Sequence, residues 1–180
     1  MSPEELASNL ARNIAHTIRA HSNFPLSPKD AVRFHDDLTP YAVHPIWCAM
    51  TFLTETALPA DFRIAGYQAL LWHDVLEDTT LLLPDGVSRE VQALVQEMTF
   101  ESFAEEQEEI WRRSENAQLL KLYDKVSNLL DGAWMSDSKW NSYVAYTNRL
   151  ASSASERFGE LNIVRIARAI SIPRPPNPAA

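Results

Sequence analysis

Leu71-Trp72-His73-Asp74-Val75-Leu76-Glu77-Asp78-Thr79 places one imidazole and three carboxylates within six residues, at the end of a run that is otherwise strongly apolar. On a helix, His73 and Glu77 stand one turn apart, as do Asp74 and Asp78, so all four share a face. Phe62, Ala65, Ala69, Trp72 and Leu76 form one stripe of the same helix, and Ile64, Leu71 and Val75 form another. A helix that is apolar on every side is a buried helix. Buried charges need a partner or a metal, because unpaired charge in a low-dielectric interior is very costly. The stretch therefore predicts a central helix from Pro59 to Asp78, closed by a Pro84-Asp85-Gly86 turn, with a functional cluster at its end.

Working outward, the rest of the chain reads as helices. Ser2 caps a first helix with Pro3 at its first position, and Leu6, Leu10, Ile14 and Ile18 follow at helical spacing. His16 and His21 on that helix read as structural or surface histidines. Asn23 to Pro28 is a turn, and Ser27-Pro28 signals a short helix through Phe34. After a loop at Asp36 to Tyr41, His44-Pro45 opens a buried helix carrying Ile46, Trp47, Ala49, Met50, Phe52 and Leu53. Downstream, Ser88 to Met98 is amphipathic, and the five glutamates of Glu101 to Glu109 read as a solvated face. From Asn116 to Leu130, Leu119, Leu122, Val126 and Leu129 form a core stripe. Lys121, Asp124 and Asn128 lie opposite, and taken alone that side reads as facing water. Ser136 to Phe158 is a long helix with Trp140, Tyr143, Val144, Thr147 and Leu150 inside, Gly159 stops it, and Glu160 to Ile170 adds a short one. Strand alternation, internal repeats and a phosphate-binding glycine loop are all missing from the pattern. The expectation is an all-α, compact single-domain bundle over residues 1–171. A tail at 172–180, with four of the eleven prolines, reads as extended or disordered.

Composition narrows the function. A chain of 180 residues suits one domain, and 46% hydrophobic with 22% charged residues is ordinary for a globular protein. The net charge of −8 argues against a nucleic-acid polymer as partner, since such surfaces are basic. Cys48 is the only cysteine, which rules out an intrachain disulfide and a cysteine-rich zinc site. The acidic start does not resemble a signal peptide, and no apolar run reaches the ~18 residues of a membrane span. A cytoplasmic protein without a membrane partner is expected, and the sequence leaves a homo-oligomer open.

His44, His73, Asp74 and Asp124 together make a mixed set of two imidazoles and two carboxylates, which suits manganese, iron or zinc better than calcium or magnesium. Four protein ligands leave open positions on a five- or six-coordinate metal, as catalysis requires. Such a metal polarises a phosphoryl oxygen and acidifies water. Glu77 and Asp78, one turn on, stand where a catalytic pair would orient that water or move its proton. The competing reading of the same residues is a buried salt-bridge network.

The pattern resembles the HD-domain metal-dependent phosphohydrolases, and most closely the hydrolase domain of RelA/SpoT homologues and the small alarmone hydrolases. Thr39-Pro40-Tyr41-Ala42-Val43-His44-Pro45 is similar to the family's first-histidine motif. Ala69 to Thr79 is similar to its HD and ED motifs, and Leu120 to Leu129 to its downstream Asp-to-Asn motif, so the likeness spans about residues 28 to 150. The resemblance implies an all-α fold and one divalent ion, usually manganese, on His44, His73, Asp74 and Asp124. It further implies Glu77 and Asp78 as the catalytic pair, Asn128 against the nucleotide, and removal of the 3′-pyrophosphate from guanosine tetra- or pentaphosphate, the chemistry of the stringent response. Two positions depart from the family. Where an Arg-Lys pair precedes the first histidine motif, this chain is read with His35-Asp36. Where an arginine follows the asparagine, it has Leu130 and Asp131. His35 thereby joins Lys121 and Asn128 in the expected substrate-binding set, with less positive charge than an alarmone would meet in the family.

The leading reading is thus a metal-dependent nucleotide phosphohydrolase acting on a small-molecule alarmone. The alternatives are a phosphatase for another nucleotide, such as a deoxynucleoside monophosphate or a phosphorylated nicotinamide dinucleotide, and a non-catalytic nucleotide-binding regulator. The Glu77-Asp78 pair argues against the regulator, since two further carboxylates beside a metal would only repel a phosphate.

Overall fold

Serine caps set where the helices begin. In the computed structural model, which describes residues 2–175, the hydroxyls of Ser2, Ser88, Ser102, Ser114 and Ser136 each accept from the backbone N–H three residues on, at 3.1–3.3 Å. They start α1 (Pro3–Asn23), α5 (Arg89–Met98), α6 (Phe103–Glu109), α7 (Glu115–Leu130) and α8 (Asp137–Phe158). The remaining helices are α2 (Val43–Leu53), α3 (Ala60–Trp72), α4 (Val75–Asp78) and α9 (Asn162–Ile170). The only β pairing among the described residues is two isolated bridges, Pro25 with Thr79 and Val32 with Pro40. The chain is an all-α bundle.

Helix α7 is the hub, packed against α2, α3, α5, α8 and α9. Helix α3 packs on α2 at Gly66, where any Cβ would run into the Phe52 ring and meet Leu120 of α7. Phe52 in turn stands edge-on to Phe62 and Tyr123, so one aromatic cluster ties three helices together. Glu55, buried after α2, accepts from the N–H groups of Asn162 and Ile163 at 3.2 and 3.0 Å and from the Tyr123 hydroxyl at 3.1 Å. That one carboxylate caps α9 and anchors it to the hub.

Three expectations change. The helix expected over 59–78 is two: α3 ends at Trp72, and α4 restarts at Val75. At the break the Leu70 carbonyl accepts from the His73 ring at 2.8 Å and the Leu71 carbonyl from the Thr17 hydroxyl at 3.0 Å. The short helix expected through Phe34 is a single 3-10 turn, Pro28–Ala31, because Val32 turns extended and pairs with Pro40. On α1, Ile18 is exposed, while Thr17, Ala20 and His21 are buried. Residues Ile172 to Pro175 run along α8, where Trp140 Nε1 donates to the Ile172 carbonyl at 2.8 Å and Asn141 brackets the Arg174 backbone. The disorder expected of the tail otherwise falls on residues 176–180, outside the described residues.

Candidate metal centre and substrate cleft

The break between α3 and α4 presents His73 and Asp74 together at the open end of the bundle. His44, in the first turn of α2, and Asp124, midway along α7, meet them there. His44 Nε2 lies 3.3 Å from His73 Nε2, 3.4 Å from Asp74 Oδ2 and 3.4 Å from Asp124 Oδ1. His73 Nε2 lies 3.1 Å from Asp74 Oδ1 and 4.0 Å from Asp124 Oδ1. All four residues are buried. The far nitrogens are fixed from behind: His73 Nδ1 donates to the Leu70 carbonyl, and His44 Nδ1 pairs with Ser127 Oγ at 2.8 Å. Each ring therefore turns its Nε2 inward, the arrangement found behind metal-bound histidines. Asp74 is held by the Tyr41 hydroxyl at 2.9 Å, and Asp124 by Lys121 at 3.0 Å, Lys125 at 3.2 Å and the Asn128 amide at 2.7 Å.

This donor set suits a cation. Two ring nitrogens face each other with two carboxylates beside them, and in the absence of positive charge a proton has to fill the gap. Burial opposes a charge on His44, yet its hydrogen bonds to Asp124 and Asp74 outweigh burial and raise its pKa. At His73 burial prevails and the pKa falls. Asp74 and Asp124 are both held below the ordinary carboxylate range despite burial, Asp74 chiefly by the two histidines and Asp124 chiefly by Lys121 and Lys125. Both carboxylates are thus held in the ionised form, the form in which a carboxylate can ligate a metal. The grouping of His44, His73 and Asp124 within 4.8 Å of one another could hold a metal ion.

Glu77 and Asp78 differ from these carboxylates. Burial, reinforced by the charge of Asp74, pushes Glu77 up to about 7 and Asp78 up to about 8. Glu77 Oε1 accepts from the Phe100 N–H at 2.9 Å. Both line a cleft of ≈ 270 Å³ that opens from the cluster and is walled by Arg33, Phe34, Lys121, Lys125, Asn128, Trp134 and Lys139. A more apolar groove of ≈ 880 Å³ lies between α1, α3 and α5, and no histidine lines it.

The polar side of α7, expected to face water, is buried: Lys121, Asp124 and Lys125 are 2%, 3% and 5% exposed. Glu106, expected on a solvated face, is also buried and bonds Lys125 at 2.9 Å and Lys121 at 3.3 Å. His35 does not line the cleft; it sits on its shoulder between Asp36 and Asp131. The cationic side chain from that loop is Arg33, two residues earlier, which grips Asp131 through two bonds of 2.8 and 2.9 Å and donates to Asn128 Oδ1 at 2.9 Å. The positive charge thought to be lost with the Arg-Lys pair is therefore partly kept. Arg33 and Lys125 were missed, along with the supporting Ser127 and Tyr41. Lys125 and Ser127 flank or nearly flank Asp124 in the motif that was read, but no local signal told which of these positions faced the cleft.

No family model matches the chain, and no curated protein matches it in sequence. In structure it is similar to a metazoan ortholog of SpoT, described as hydrolysing ppGpp and playing a role in starvation responses. The match covers 89% of this chain and 92% of that one, with a TM-score of 0.64 at 21% identity. The fold is HD-type. In this bundle α2, the α3–α4 break and α7 bring His44, His73, Asp74 and Asp124 to one point from positions spread over 81 residues, 44 to 124. Among the described residues, no helix is long and apolar enough to cross a membrane.

Proposed function

We propose that this chain is a metal-dependent phosphohydrolase that removes the 3′-pyrophosphate of guanosine tetra- or pentaphosphate. The observation that carries the reading is the convergence of His44, His73, Asp74 and Asp124 beside a cleft that Asp74 and Asp124 line and whose walls bear Arg33, Lys121, Lys125 and Lys139. Those four residues would hold one divalent ion, manganese by the resemblance. Bound there, the ion supplies Lewis acidity for the phosphoryl oxygen and for the attacking water.

The chain's own residues supply the rest. Glu77 and Asp78, with pKa values lifted to about 7 and about 8, exchange protons near neutrality, and in its ionised form either one would accept the water's proton. Lys121 and Lys125 offer donors to phosphoryl oxygens while holding Asp124. Asn128 has both ends of its amide engaged, by Asp124 and Arg33, and so couples the arginine to the metal set. Water attacks the 3′-side phosphorus, the phosphorus–O3′ bond breaks, and the products are a guanosine 5′-diphosphate or triphosphate and pyrophosphate. The likeness to a ppGpp hydrolase supports this substrate over other nucleotides.

The test is purified protein with manganese against a nucleotide panel, beside His73→Ala and Asp74→Ala. Release of pyrophosphate from the alarmone, lost in both variants, is expected. Release of orthophosphate from a nucleoside monophosphate, with none from the alarmone, would move the assignment to a nucleotidase; no release at all would end the enzymatic reading.

A further inference from the structure

The cleft is acidic for a phosphate site: four cationic side chains line it against seven acidic ones. Most of those acids have a task in the reading above, as ligands or as the proton-accepting pair. Glu106 has none, yet it is among the most buried of them, at 5% exposure. Its Oε2 contacts both cleft lysines, Lys125 at 2.9 Å and Lys121 at 3.3 Å, and the same carboxylate faces the Tyr146 hydroxyl, whose pKa it helps to raise beyond the effect of burial. Burial works against the charge of the lysines, but Asp124 and Glu106 outweigh it and raise both pKa values. They remain cationic and are committed to carboxylates before any ligand arrives.

We propose that Glu106 is a built-in competitor for the substrate: its carboxylate sits on Lys121 and Lys125 where a phosphoryl group would bind, and it must release them for a pyrophosphate to seat. This rests on the phosphohydrolase reading only in taking the ligand to be a phosphoryl group. Glu106 belongs to α6, a seven-residue helix that also lines the cleft through Phe103, stacked on Tyr143 at 4.2 Å. Release of the lysines therefore loosens α6 from the hub, and a substrate able to offer two adjacent phosphoryl groups replaces a single carboxylate with more acceptors. The residue sets how tightly the cleft takes its ligand.

The experiment titrates inorganic pyrophosphate into the manganese-supplied full chain and into Glu106→Gln by calorimetry. The variant keeps the shape of the side chain but gives up its charge. About tenfold tighter binding is expected, the scale of one charge-assisted hydrogen bond no longer contested. Equal or weaker binding by the variant would overturn the proposal and make Glu106 a residue that merely positions the lysines. Hydrogen exchange on the unaltered chain decides independently of how the variant folds: pyrophosphate should speed exchange across α6, and unchanged or slowed exchange there overturns the proposal. Hydrolysis is read in a separate reaction. A chain that meets both binding expectations but turns over no nucleotide would sink the enzymatic reading and leave this one standing.

Discussion

Glu77 and Asp78 carry the pH behaviour of the site. Folding raises their pKa values from about 4 in an unfolded chain to about 7 and about 8. Between those limits the folded chain holds protons that the unfolded chain has released, so these groups make stability fall as pH rises through the window, with the loss complete above the folded values. In metal-free protein, Asp78→Asn should flatten the decline of Tm between about pH 5 and about pH 8; parallel slopes for variant and parent would show that Asp78 is not protonated when folded. The raised pKa of His44 acts in the same direction, which is why the variant, and not the bare slope, is the measurement. At this scale the sequence was informative about chemistry and less so about place. His44, His73, Asp74 and Asp124 were picked out by type and spacing, and they converge. Arg33 was overlooked in favour of His35 because a loop offers no periodicity to say which side chain turns inward.

Among the elements, boundaries followed local chemistry and faces did not. The capping serines and apolar spacings located α1, α5, α7 and α8 within a few residues. The break after Trp72 was invisible because one contact behind it is remote in sequence, Thr17 to the Leu71 carbonyl. The burial of α7's polar side was hidden for the same reason, since Glu106 from α6 and Arg33 from the loop before α2 cover it. Two substitutions test the packing. Glu55→Ala strips the cap from α9 and orphans the buried Tyr123 hydroxyl, which should cost about 2–3 kcal/mol in denaturant unfolding. Gly66→Ala forces a methyl against Phe52 where α2 and α3 meet, and about 1–3 kcal/mol should be lost. Losses below about 0.5 kcal/mol, the range of ordinary surface changes, would mean that these helices are not seated as described.

For the whole molecule, a metal held between α2, the α3–α4 break and α7, as proposed, would make metal uptake a stabilising event, because the unfolded chain brings no such ligands together. Manganese at a hundredfold excess over its Kd should add about 2.7 kcal/mol, a Tm rise of roughly 5–10 °C for a chain of this size. His73→Ala should fold and lose that rise; a rise of the same size in the variant would place the metal elsewhere. Hydrolysis in ¹⁸O-labelled water bears most directly on the central claim. With manganese, the account predicts that guanosine tetraphosphate is converted to guanosine 5′-diphosphate and pyrophosphate, with one labelled oxygen in the pyrophosphate by mass spectrometry and no conversion by His73→Ala. Label in the nucleoside diphosphate, or conversion no faster than that of His73→Ala, would contradict it.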